Sequence, residues 1–255
     1  MPDTVTSSVS EHYDKSVDAP LATALREGSM YYNYGFWHQG ATSMFEASEC
    51  LMAELVKGSQ VPKGGAVLDV ACGMGATTKY VADKTQAGRV VGINISELQL
   101  DACREHAPDL EFASMSATEM AFEDGSFDNI FCVEAAFHFN TRRDFLKEAG
   151  RVLKPGGRLA MTDIPNPGTG TGSIPENFVQ SMDDYAALFD GTGLKPVSLI
   201  DRSEDCLGGY VPFVLFFRDT MMQRGELTQQ QYRWLTMRLR AVSEITYLEV
   251  IAEAV

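Results

Sequence analysis

The chain reads as an α/β protein built on a doubly wound, mostly parallel sheet, and three observations predict it. Short β-branched or apolar runs alternate with amphipathic segments after Pro62. One apolar run, AVLDV, leads into a glycine-containing turn and then a helix-like segment, ACGMGATTKYVAD. The 255 residues, 45% of them hydrophobic and 22% charged, suit one compact unit with a cap and a well-buried core.

The pattern predicts strands near 66–71, 89–94, 110–114, 127–133, 157–163 and 196–201. Helices are predicted near 76–84, 96–106, 141–152 and 178–190, with Ser96 capping one start and Pro155-Gly156-Gly157 stopping another. Residues 1–20, rich in Ser, Thr and Asp, are expected to form a flexible arm. Residues 21–60 turn helical and aromatic, with Tyr31, Tyr32, Tyr34, Phe36, Trp37 and His38 close together, and are expected to form a lid. The core is expected over 61–207. A helical cap follows over 208–243, holding the apolar run YVPFVLFF and a second helical stretch near 228–242. The strand-like run at 244–255 is expected to close the core as a final edge strand.

Composition excludes several function classes. A net charge of −14 surrounds the molecule with a field that opposes a phosphate backbone, so no nucleic-acid partner is expected. No apolar run approaches the roughly 18 residues of a membrane span, and no membrane partner is expected. Cys50, Cys72, Cys103, Cys132 and Cys206 are scattered and form no C-x-x-C pair, which points to neither a disulfide framework nor a metal site. The amino-terminal residues lack a basic stretch followed by an apolar one, and with the free cysteines this fits a cytoplasmic protein.

The glycine turn carries the sharpest chemical signal. Gly73 and Gly75 allow positive φ and close approach of a ligand, and the helix that follows offers free N–H groups to an anion. Two cofactor classes compete, because dinucleotide sites use G-x-G-x-x-G in the same context. Thr78 stands at the third glycine position, whereas Asp69 lies inside the strand four residues before Gly73. The strand VVGIN ends at Asn94, where both classes commonly place an acid against ribose hydroxyls. Asn accepts through its carbonyl oxygen without charge, so Ile95 and Gln99 are expected to supplement the grip.

The stretch FDNIFCVEAAFHFNTRRDFLKEAGRVLKPGGRLAMTD (127–163) resembles the fourth-strand to fifth-strand segment of class I S-adenosylmethionine (SAM) dependent methyltransferases. YYNYGFWHQG resembles the N-Y-G-x-W segment of the natural-product members that modify sugars, polyketides, azapteridines or prenyl chains. The likeness implies a Rossmann-like core whose last strand is antiparallel. It implies SAM as cofactor and S-adenosylhomocysteine as product, with Asp69 at the methionine amine. Further cofactor contacts are implied for Gly73, Gly75, Asn94, Ile95, Gln99, Ser116, Ala117 and Glu134, and for Tyr34 and Trp37 of the lid. Ser116 and Ala117 stand where the family usually has an acid and a small residue near the adenine.

Methyl transfer from a sulfonium is an in-line displacement, so the protein positions the acceptor and manages its proton. His138 and Asp163 follow the fourth and end the fifth strand, at the carboxyl edge where such sheets bind ligands. They resemble the His and Asp of sugar O-methyltransferases, and His138 is the expected general base. Tyr31, Phe36, His38, Phe213 and Phe217 are the expected substrate wall, with Met221 and Met222 beside it. The expected activity is methylation of a hydroxyl or ring nitrogen on a small secondary metabolite, by a monomer or homodimer. Carbon methylation of a prenyl diphosphate, and a silent cofactor-binding relative, remain as alternatives.

Overall fold

A computed structural model describes residues 4–17, 19–166 and 174–255. Helices α1 (Thr4–Val17), α2 (Pro20–Leu25) and α3 (Met44–Ser59) precede the sheet. Then come β1 (Ala66–Val70), α4 (Ala76–Lys84), β2 (Arg89–Asn94), α5 (Glu97–His106), β3 (Glu111–Ser114), β4 (Phe127–Val133), α6 (Arg142–Val152) and β5 (Leu153–Asp163). The chain closes with α7 (Met182–Ala187), β6 (Leu194–Asp201), α8 (Ser203–Gln223), α9 (Gln229–Val242) and β7 (Leu248–Ala254).

The seven strands lie in the order β3-β2-β1-β4-β5-β7-β6. β1 to β5 pair in parallel, and β7 runs antiparallel to both of its neighbours. Chain order therefore reverses between β1 and β4, and a doubly wound sheet opens its crevice at the carboxyl ends of those strands. Apolar residues on the two sheet faces build two cores. One joins Leu68, Ile130 and Val250 to Phe145 and Leu146 of α6. The other joins Val67, Phe131 and Ile251 to Leu51, Met52 and Leu55 of α3. Each such side chain contributes about 1.5–3 kcal/mol by leaving water.

Three expectations need correction. The run expected as a flexible arm contains α1, whose Val9 is buried. The last strand is not an edge: β7 slots between β5 and β6, with six of its seven residues buried, and β6 is the edge. A strand that hydrogen-bonds on both sides satisfies both rows of its backbone groups, which suits so apolar a run. Pro155-Gly156-Gly157 does not end α6, which stops at Val152. It forms a bulge in β5, between the pairings Phe127 to Leu153 and Asn129 to Arg158. Ser96 does cap α5, accepting from the Gln99 N–H at 3.0 Å.

Among the described residues no helix is long and apolar enough to cross a membrane.

Candidate active site

At the crevice between β1 and β4 lies a cavity of about 1050 Å³ of non-atom space, open solvent included. Asp69, Gly73, Asn94, Ile95, Gln99, Ser116, Ala117, Glu134, His138 and Tyr31 all line it. Its remaining walls include Tyr13 of α1, Tyr32 and Asn33 of the aromatic segment, and Met115, Thr118 and Asn140.

The two glycines of the turn serve different ends. Gly73 has φ +54°, and a Cβ there would meet only the edge of Tyr32 at 3.8 Å, so its backbone faces open cavity. Gly75, at φ +83°, has no room instead, because a Cβ would press on the Cys103 sulfur at 3.1 Å and the Phe112 ring at 3.3 Å. The turn is held from behind: Asn94 Nδ2 and the Cys103 thiol both donate to the Gly73 carbonyl, at 3.2 Å each. Asn94 also gives Nδ2 to Gln99 Oε1 at 2.7 Å and accepts the Ile95 N–H at 2.8 Å. Its amide is thus a brace for the loop, and its carbonyl oxygen, accepting one N–H, has capacity for a second donor.

Asp69 is 1% exposed and accepts the Thr78 hydroxyl at 2.6 Å, and among the described residues no cation pairs with it. Burial pushes its pKa up to about 7. Thr78, at the missing third-glycine position, is therefore a ligand of the carboxylate. Asn33 Oδ1, also on the cavity, is buried with no hydrogen-bond partner. A buried acid without a cation and a buried acceptor without a donor fit a ligand that brings both, as the α-amine and ribose hydroxyls of SAM would.

Glu134 stands just past β4 with φ +51° and accepts the Tyr34 N–H at 2.7 Å and the Tyr247 hydroxyl at 2.6 Å. Burial raises its pKa to about 7 as well. It fastens the aromatic segment to the sheet edge. His138 closes a 3-10 turn, Ala136–His138, and its Nε2 lies 3.0 Å from the Tyr13 hydroxyl. Burial raises the Tyr13 pKa, so its phenol stays protonated. Tyr13 leans edge-on against Tyr32, at 6.1 Å between ring centroids, and the Arg26 guanidinium covers Tyr32 at 4.1 Å. A line of stacked groups thus runs from α2 to His138.

Several expected residues lie elsewhere. Asp163 is fully buried away from the cavity, ion-paired to Arg142 at 2.6 Å and accepting the Tyr185 hydroxyl at 2.6 Å, so it is no base for an acceptor. Tyr34 packs on Tyr210 at 4.7 Å, and only its backbone serves the site, through Glu134. Trp37 stacks on Phe213 at 5.0 Å and gives its indole N–H to the Tyr34 carbonyl at 2.8 Å. Phe36 is fully buried against Tyr247, with His38 beside it at 5.8 Å. Phe213 and Phe217 likewise do not reach the cavity wall, and Gly75 stands behind it. In the aromatic segment, Tyr31 to Asn33 meet the cavity while the later rings anchor it. Sequence reasoning missed Tyr13, although Val9 and Tyr13 share one helical face at i, i+4 spacing.

A family model described as a methyltransferase domain matches residues 68–161. Over 219 residues the chain is 31% identical to the methyltransferase GfsG of Streptomyces halstedii, a match that spans 79% of this chain and 78% of that protein. The chain belongs to the SAM-dependent methyltransferases. This methyltransferase is also 36% identical over 147 residues to the erythromycin 3''-O-methyltransferase of Saccharopolyspora erythraea, covering 55% of this chain and 48% of that one. Among solved structures, the [4+2]-cyclase SpnF shares its fold, with a TM-score of 0.78 at 18% identity over 98% of this chain and 96% of the other. The matched 68–161 of the methyltransferase runs from β1 into β5 and so includes the glycine turn, Asn94, Glu134 and His138.

Proposed function

We propose that this methyltransferase moves a methyl group to a hydroxyl of a small secondary metabolite, with His138 as general base. The observation that carries the reading is that His138 shares one cavity with Asp69 and the Gly73 turn. Asp69 would hold the amine of the cofactor, and the open backbone at Gly73 would receive its carboxylate end. Asn94, with Gln99 beside it, would meet the ribose, and Ser116 and Ala117 the adenine.

SAM supplies an electrophilic methyl on a sulfonium and a thioether leaving group. An acceptor hydroxyl in the cavity would give up its proton to His138 Nε2 as its oxygen takes the methyl. Tyr13, hydrogen-bonded to that nitrogen, holds the ring toward the cavity and is displaced or shares the proton when the acceptor arrives. Tyr31 and Tyr32 line the lid side of the cavity and would exclude water from a bound cofactor. The similarity to an erythromycin O-methyltransferase supports oxygen over nitrogen as the acceptor atom.

The test has two arms. S-adenosylhomocysteine is titrated by calorimetry, and SAM is then offered with a panel of hydroxylated polyketides and glycosylated macrolides, each product read as a one-methyl mass gain. His138→Ala is expected to lower kcat by about 10²- to 10⁴-fold on the acceptor found, with S-adenosylhomocysteine affinity retained. Near-normal turnover in His138→Ala would remove the base and favour transfer to carbon. Binding of S-adenosylhomocysteine without transfer to any panel member would favour a silent relative.

A further inference from the structure

The buried polar cluster behind the cavity has no part in the chemistry above, yet it ends on the turn that carries His138. At its root Asp163, closing β5, is paired with Arg142 at the start of α6 and with the Tyr185 hydroxyl. All three side chains are 0–1% exposed. The Arg142 guanidinium spreads from there to the Ile164 carbonyl at 3.1 Å and to the Asn177 carbonyl, and the Arg142 N–H donates to Asn177 Oδ1 at 2.7 Å. Asn177, 2% exposed, then gives its Nδ2 to two carbonyls, Phe139 at 2.8 Å and Phe137 at 3.2 Å. These are the carbonyls of the two residues that flank His138.

The geometry points to Asn177 as a positioning residue for His138, with Arg142 and Asp163 fixing Asn177 in turn; this rests on the reading of His138 as the base. The amide has only one orientation that works. Its oxygen faces an N–H and its nitrogen faces two carbonyls, so a flip would set like against like at all three contacts. By tying both neighbours of His138 to one rigid group, Asn177 fixes the pitch of the 3-10 turn and hence where the imidazole enters the cavity. A base held loosely loses rate steeply, because about 1 Å of misplacement can cost 10²-fold. Asp163 thus reaches the site as the far end of a clamp.

The experiment uses the full chain, labelled with ¹³C at histidine Cε1 and saturated with S-adenosylhomocysteine. The protein has four histidines, His12, His38, His106 and His138; His12 packs on Tyr13, which touches His138, so His38 and His106 serve as internal controls. Asn177→Ala removes all three side-chain bonds. Asn177→Asp keeps the acceptor for the Arg142 N–H and gains attraction to its guanidinium, while turning a carboxylate oxygen toward the Phe137 and Phe139 carbonyls; it guards against a variant that fails to fold. In both, the His138 signal is expected to shift and broaden while those of His38 and His106 stay in place and S-adenosylhomocysteine affinity changes less than about twofold. A His138 signal that stays where it was, or His38 and His106 signals that move with it, overturns the assignment. The readout is the position of an imidazole and not turnover. If His138→Ala proves harmless to catalysis while Asn177→Asp still moves His138, the base fails and the clamp stands.

Discussion

Asp69 carries its charge at a cost until a cation arrives, and that sets how the cofactor should bind across pH. Its pKa of about 7 in the ligand-free site belongs to a carboxylate that burial disfavours and a single side-chain hydroxyl supports. If Asp69 holds the amine of S-adenosylhomocysteine as proposed, the amine would pair with the ionised form, and binding would strip a proton below that pH. Affinity is expected to fall about tenfold per pH unit as pH drops from 7 toward 5.5, with net proton release on binding. Calorimetry in two buffers of different ionisation enthalpy reads both, and an affinity flat from pH 5.5 to 8 would separate Asp69 from the amine. Glu134, on the same cavity and raised to about 7, adds to the slope with the same sign if it too faces the ligand's charge. Tyr13 has a separate signature. Tyr13→Phe keeps the ring that stacks on Tyr32 and removes the hydroxyl at His138, a single bond of about 0.5–1.5 kcal/mol. A two- to tenfold drop in kcat with little change in the KM for SAM is the expected result, and an equal rise in that KM would assign Tyr13 to the cofactor instead.

The aromatic segment works as an element because α8 leaves room for it. Gly209 lies under Trp37, and a Cβ there would fall 2.0 Å from the Trp37 Cβ, far inside contact distance. The Trp37 N–H also donates to the Asp205 carbonyl at 2.8 Å, so the segment and the helix lock at one point. Gly209→Ala is expected to cost about 1–3 kcal/mol and to lower Tm by several degrees, since the clash is with a ring stem that cannot swing away. Unchanged melting would mean that the lid is not seated on α8. This seat also explains which parts of the molecule were legible in the sequence. Strands β1, β2 and β4 and the glycine turn declare themselves through local apolar runs and backbone needs, which neighbouring residues encode. Whether Tyr32 or Tyr34 faces the cavity depends on contacts with Glu134, Tyr210 and Trp37 made across the fold, and six rings within eight positions look alike to any periodicity. α1 was hidden by its Ser and Thr content, because what orders it is docking: Val9 is buried and Asp14 accepts the Ser96 hydroxyl at 2.5 Å. Asp163 sits at the strand end where a base would, and only the distant Arg142 and Tyr185 decide its role.

At the scale of the whole molecule, the two buried acids tie stability to occupancy. Asp69 and Glu134 both rise to about 7 from ordinary values of 3.8 and 4.5, so the folded state holds their protons more tightly than the unfolded chain does. Their contribution is therefore fully present below about pH 4 and is lost as pH rises through 7. The ligand-free protein should melt lower at pH 8 than at pH 6. Its net charge of −14 pushes the same way through self-repulsion, which makes the slope alone a poor test. Asp69→Asn separates the two. It changes the charge by only one unit and keeps an oxygen for the Thr78 hydroxyl, yet it removes the buried anion. At pH 8 the ligand-free variant is expected to melt about 2–4 °C above wild type for each kcal/mol relieved, and near pH 4 the two should converge. The gain should come with a loss, because wild type at 100 times the Kd of S-adenosylhomocysteine gains about 2.7 kcal/mol from binding and the variant should gain almost none. The site would then be destabilising by construction and made whole by its cofactor. A variant that melts below wild type at pH 8 would show that the Asp69 carboxylate is already satisfied without a ligand.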